Sequence, residues 1–171
     1  MKLRGRAWVF GDNLAATYFL SGKYDPMVRA GKYRELVPHI LEDVDPGFVQ
    51  KVQPGDLLIA GKAFGTGKHL RGLIEAFKVL GIGGVIAESF AAEWEKVSIN
   101  SGLPIVVSHA MRSQVSTGEL LELDVGAAAA HNLTRGTLIA VNPAPAGMVA
   151  ILEAGGLEGY TLRRLAQPVR N

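Results

Sequence analysis

Ile59-Ala-Gly-Lys-Ala-Phe-Gly-Thr-Gly-Lys-His69 starts as an apolar run, breaks into three glycines and continues as a helical pattern. Leu57–Ala60 reads as a short strand buried on both faces, because no polar residue alternates within it. Beyond the glycines, Leu70, Leu73, Ile74, Phe77 and Leu80 fall three and four residues apart, the spacing of one helical face. Gly81 stands where a helix-ending glycine belongs. Gly84–Ala87 repeats the buried-strand pattern. Ser89 is placed to cap a helix from Phe90 to Asn100, Gly102 closes it, and Leu103–Val107 is a third strand. Strand–loop–helix–strand–helix–strand predicts parallel strands with right-handed crossovers, and so an α/β fold.

The flanks are read outward from this unit. Arg6–Phe10 is a strand broken by Gly11-Asp12-Asn13, and Tyr33–Asp43 is a helix with Leu36, Val37, Ile40 and Leu41 on one face. Glu119–Asp124 and Thr137–Val141 predict a hairpin-like pair, with the alanines of Ala127–Ala130 and His131 unassigned between them. Helices follow at Gly147–Ala154 and Leu157–Leu165, and Gln167-Pro168 begins a polar tail. No repeat and no linker divides the 171 residues, so one domain over 1–171 is expected.

Composition narrows the function classes. Hydrophobic residues make up 48% of the chain, enough for a core, which excludes disorder. Eighteen Lys and Arg against sixteen Asp and Glu give a net charge of only +2, and the basic residues are scattered, so nucleic acid is not the expected partner. The apolar stretch Ala7–Phe10 is too short for a secretory signal, and no run approaches the roughly 18 residues of a membrane span. A cytoplasmic protein without membrane contact is expected. Cysteine is absent, which leaves no thiolate for a metal or an iron–sulfur cluster. His39, His109 and His131 form no metal-binding spacing, and no metal site is expected. Glu93 and Glu95, two apart on a helix, face different ways and make no acid/base pair.

The glycine loop carries the chemistry. Backbone amides of such a loop, and of the helix that follows, suit a phosphate or a carboxylate, and Lys68 and Arg71 add positive charge. A tight connection that needs glycine for packing alone is the plain structural reading. A nucleoside-triphosphate loop is excluded on spacing: five residues separate Gly61 from Gly67 where four are required, and His69 replaces the hydroxyl residue after Lys68. The dinucleotide fingerprint fails as well, because Leu70 stands at the third glycine. Asp12 and Asn13 serve either to orient a site or to shape their own turn.

Several stretches together carry a family resemblance. They are Phe10-Gly-Asp-Asn13, Ser21-Gly-Lys-Tyr24, Val52-Gln-Pro-Gly-Asp56, Ala60-Gly-Lys-Ala-Phe-Gly-Thr-Gly67, Val85-Ile-Ala-Glu-Ser-Phe-Ala91, Gly118-Glu-Leu-Leu-Glu-Leu-Asp124 and Ile151-Leu-Glu-Ala-Gly-Gly-Leu157. In order and spacing the chain resembles the small subunit of 3-isopropylmalate dehydratase, which corresponds to the swivelling domain of aconitase. The resemblance implies a β/β/α sandwich that caps a large subunit carrying a [4Fe–4S] cluster, none of it bound by this chain. It also implies a hydro-lyase/isomerase of leucine biosynthesis that moves the hydroxyl of a 2-hydroxy acid to the next carbon.

The chain departs from the family pattern at the reacting groups. Where the family reads Ser-Ser-Arg-Glu after Phe-Gly-x-Gly, this chain has Lys68, His69, Leu70 and Arg71. The family's Asn-Thr-Asp is here Ala15, Ala16 and Thr17. Arg71 lies one residue beyond the family arginine, a turn of about 100° on a helix. His69 and Lys68 are therefore the expected catalytic groups, with Thr66, Gly67, Arg71 and Lys23 binding the substrate. The rival expectation is a non-catalytic binding or regulatory homologue, a homo-oligomer when isolated, that kept the fold and lost the serine and arginine.

Overall fold

The computed structural model describes residues 1–166. Its strands are β1 (Lys2–Val9), β2 (Leu57–Ala60), β3 (Gly84–Ala87), β4 (Ile105–Val107), β5 (Leu120–Asp124), β6 (Ala129–Asn132) and β7 (Thr137–Ala140). They form one sheet in the order β4-β3-β2-β1-β5-β6-β7. The helices are α1 (Ala16–Phe19), α2 (Asp25–Arg29), α3 (Tyr33–Leu36), α4 (Phe48–Lys51), α5 (Leu70–Leu80), α6 (Ala92–Ser101), α7 (Met111–Gln114), α8 (Ala146–Glu153) and α9 (Leu157–Leu165).

The hinge of the sheet is β1. Its first half, Lys2–Arg6, pairs antiparallel with β5, and its second half, Ala7–Val9, pairs parallel with β2. Strands β2, β3 and β4 continue in parallel, and β6 and β7 continue in antiparallel. The partly parallel α/β sheet expected from the repeat is therefore present. Strand alternation explains the layering. One face of the parallel half, with Leu58, Ala60, Val85, Ala87 and Ile105, packs into a core with the helices. The opposite face, with Leu57, Ile59, Ile86 and Val106, packs against Leu121, Leu123, Ala130 and Ile139 of the antiparallel half. The sheet curls over itself, and the layers run helices, parallel half, antiparallel half. This is the expected β/β/α sandwich.

A buried carboxylate ties β1 to the turn before β2. Asp56 accepts hydrogen bonds from the Arg6 backbone at 3.1 Å, from Trp8 Nε1 at 2.9 Å and from the Gln53 backbone at 2.9 Å. Trp8 thus stands half-buried at the core edge, with Phe48 edge-on at 4.9 Å. Trp94 is fully buried and packs edge-on to Phe64 at 5.0 Å.

Five local expectations are corrected. Strand β1 begins at Lys2 rather than Arg6: Leu3 and Ala7 point inward while Lys2, Arg4 and Arg6 point to solvent, an amphipathic half-strand. The helix over Tyr33–Asp43 stops at Leu36 and passes into a 3₁₀ turn at Val37–His39, because Pro38 lacks the next amide donor. Leu41 then takes φ 58° and its N–H bonds to the Phe19 carbonyl at 2.7 Å. Ser89 does not cap α6. Its Oγ accepts from Ala63 N–H at 3.0 Å, and the helix starts at Ala92 behind Ala91. The third parallel strand is only Ile105–Val107, since Pro104 precedes it. The segments 119–124 and 137–141 are not direct partners, because the alanine-rich β6 lies between them. The expected tail from Gln167 lies outside the described residues.

Candidate functional site

The parallel strands all deliver their loops to one end of the sheet, their carboxyl ends, where open α/β sheets hold small ligands. There the loops after β1 and β2 are laced together by backbone hydrogen bonds. Gly61 donates to the Gly11 carbonyl at 3.0 Å, Asn13 to Lys62 at 2.7 Å, Gly65 to Leu14 at 2.8 Å and Ala16 to Thr66 at 2.8 Å. Asp12 belongs to this lacing: its Oδ1 accepts from Lys62 N–H at 2.9 Å. It shapes the loop, and Asn13 assists by adopting φ 56°.

Gly65 is required at its place. It has φ 85°, and an added Cβ would enter the Trp94 ring. The strand-to-helix connection is therefore seated on Trp94. Gly67, at φ 110°, would bring an added Cβ only to ordinary contact with the Ala16 backbone nitrogen, at 3.9 Å.

A cleft of about 330 Å³ opens where this loop meets α1 and α2. Its apolar wall is Ala16, Leu20, Val28 and Leu73, and its polar groups are Thr17, Ser21, Asp25, Lys68 and His69. His69 sits at the N-cap of α5 with φ 58°, and no side chain caps that helix end. The positive end of an eleven-residue helix and Lys68 thus border the same cleft. His69 Nε2 is 3.0 Å from Asp25 Oδ2, each side chain about one-third exposed.

The structure brings together only part of the expected set. Lys68, His69 and Gly67 line the cleft. Thr66 is exposed beside it and contributes its carbonyl to the loop lacing. Arg71 lies instead on a second cleft of about 660 Å³ between α5, α6 and α9, beside Glu75, Asn100 and Leu162. Lys23 is held away by Glu42 at 2.7 Å and Asp43 at 3.9 Å. Glu42 is the hub of that cluster, taking further bonds from Tyr24 Oη at 2.5 Å and from His39 Nδ1 at 2.6 Å. The hydrogen bonds from Lys23, Tyr24 and His39 lower the Glu42 pKa to about 2, and the same contact raises that of Lys23.

Asp25 is the group that reading the sequence missed. An Asp-Pro pair signals a helix start and nothing more. Only the packing of α2 on α5 carries Asp25 to His69. Among the described residues no cluster of His, Asp and Glu has the make-up of a metal site, and no helix is long and apolar enough to cross a membrane.

Fold and cleft together define an α/β domain with a cleft at the carboxyl ends of its parallel strands. No protein-family model matches the chain. It is 39% identical to 3-isopropylmalate dehydratase small subunit 2 of Archaeoglobus fulgidus, over 94% of both chains. It is 35% identical to the isopropylmalate/citramalate isomerase small subunit of Methanocaldococcus jannaschii, over 96% of both. The crystal structure of 3-isopropylmalate dehydratase (leuD) from Methanocaldococcus jannaschii superimposes with a TM-score of 0.86 at 30% identity, covering 96% of each chain. The chain belongs to the 3-isopropylmalate dehydratase small-subunit family.

Proposed function

We propose that this chain is the small subunit of a hydro-lyase/isomerase acting on a 2-hydroxy acid of the 3-isopropylmalate type, in leucine biosynthesis and in the cytoplasm. It caps a large subunit and contributes one wall of the active site. The observation that carries this reading is the pairing of Lys68 and His69 on one apolar cleft, on the strand–glycine–helix loop of a family member.

The roles of this chain's residues follow from their chemistry. Lys68 and the free amides at the start of α5 attract the substrate carboxylate. The wall of Ala16, Leu20, Val28 and Leu73 excludes water and takes an aliphatic substituent. His69 accepts the proton from the carbon beside the carboxylate and returns it on rehydration. The donor set of this chain does not fit a [4Fe–4S] cluster: it has no cysteine, and the described residues group no three His, Asp or Glu. The cluster belongs in this reading to the large subunit.

A non-catalytic binding or regulatory subunit is the second reading. It is favoured by the place of Arg71, which leaves Lys68 as the cation among the described residues on the cleft lining. Affinity purification of the tagged chain from its own cells separates the two. The first reading predicts recovery of an iron–sulfur protein with dehydratase activity. Recovery of a homo-oligomer alone would support the second.

A further inference from the structure

We propose that Asp25 and His69 form a carboxylate–imidazole dyad, in which Asp25 is a positioning residue that leaves His69 Nδ1 as the proton acceptor of the cleft. The proposal rests on the catalytic reading of the site and deepens it.

The pairing is built into the packing. Helix α2 lies on the start of α5 with the Val28 side chain against Gly72, where an added Cβ would overlap Val28 Cγ1 and Cγ2. That contact sets the height of one helix on the other. Asp25 is three residues before Val28, and His69 is three residues before Gly72. Three residues is close to one helical turn, so the register that seats Val28 on Gly72 also brings Asp25 to His69. The observed Nε2–Oδ2 distance is 3.0 Å. His69 holds its own position through φ 58°, and its carbonyl accepts from Gly72 N–H at 3.0 Å.

The tautomer follows from the partner. A carboxylate only accepts, so the proposed dyad puts the hydrogen on Nε2 and leaves Nδ1 of the neutral ring with its lone pair. When Nδ1 takes a proton from substrate, the imidazolium forms beside a negative charge and is stabilised by it. No oxidant or further reactant is needed, and the proton returns to product by the same atom. The other charged group on the cleft lining is Lys68. Thr17, Ser21, Val28 and Leu73 add no charge there.

The test has two readouts. In the first, the ring nitrogens of His69 are observed by 15N NMR in the full chain, with resonances assigned through H69Q and the tautomer of the neutral ring read from their shifts. Asp25→Asn is close to isosteric and leaves Val28 on Gly72. It is expected to lower the ratio of Nε2–H to Nδ1–H rings by about fivefold or more, while Asp25→Glu restores part of it. An unchanged tautomer ratio in a folded Asp25→Asn chain overturns the dyad. In the second readout, kcat and KM of the complex with its large subunit are measured separately. Asp25→Asn is expected to lower kcat by about tenfold or more with KM within about twofold, and Asp25→Glu to recover part of kcat. A kcat that does not fall, or a loss carried by KM instead, overturns the positioning role. A wild-type complex that turns over no 2-hydroxy acid would sink the catalytic reading instead, and the NMR measurement would still decide the pairing.

Discussion

At the scale of single residues, the charge that matters is decided by direction rather than by composition. Lys68 and Arg71 are three apart in the chain, yet one lines the cleft of His69 and the other lines the cleft of α9. Lys68→Ala in the assembled enzyme should therefore raise KM about tenfold or more, the loss of one charge-assisted contact. Arg71→Ala should leave KM within about twofold, as expected for a side chain that lines the other cleft. Steady-state kinetics on the two variants checks both numbers. The strand–glycine–helix loop was legible from its glycines, and so was the place of Lys68 and His69 on it. The fate of Arg71 was not, because it depends on how α5 is rolled against α6 and α9. Asp25 left no trace in the sequence for a related reason, since its partner is brought to it by the Val28–Gly72 contact between two helices.

At the scale of elements, glycine placement and charge clusters set what the loops can do. Gly65 holds the loop on Trp94 at φ 85°. Gly65→Ala combines a strained backbone with overlap on a buried ring, and should cost about 2–3 kcal/mol of stability by urea denaturation. Gly118→Ala, at φ 93° but facing open space, is the milder control. The Glu42 cluster clasps the segment that carries α2 and α3. Its folded pKa of about 2 lies below the ordinary value of 4.5, so its stabilisation is present in full above pH 4.5 and is lost as pH falls toward 2. Thermal unfolding of Glu42→Gln should show a smaller decline than wild type across that window. The long periodic helix and the two buried strands were readable because their apolar spacing is unbroken. Strand β6 was hidden because its alanines give no period-2 contrast, though Ala130 and Asn132 are buried and His131 is exposed. The break after Leu36 was hidden because the apolar pattern continues through Pro38.

At the scale of the whole molecule, the curled sheet places every parallel strand's carboxyl end on one surface. Asp12, Asn13, Thr17, Lys62, Thr66, Lys68, His69 and Ser89 are all exposed there. The cleft opens onto that surface. On the proposed function, this chain supplies working groups to a site shared with a large subunit despite carrying Lys68 and His69 where the pattern it resembles reads serines. The most direct test is reconstitution with the cluster-loaded large subunit from the same cells, followed by the interconversion of 2- and 3-isopropylmalate. Turnover that needs both subunits and falls by about 10²-fold or more in His69→Ala is the predicted result. A stable complex that shows no turnover, or one that His69→Ala leaves at full speed, would contradict it.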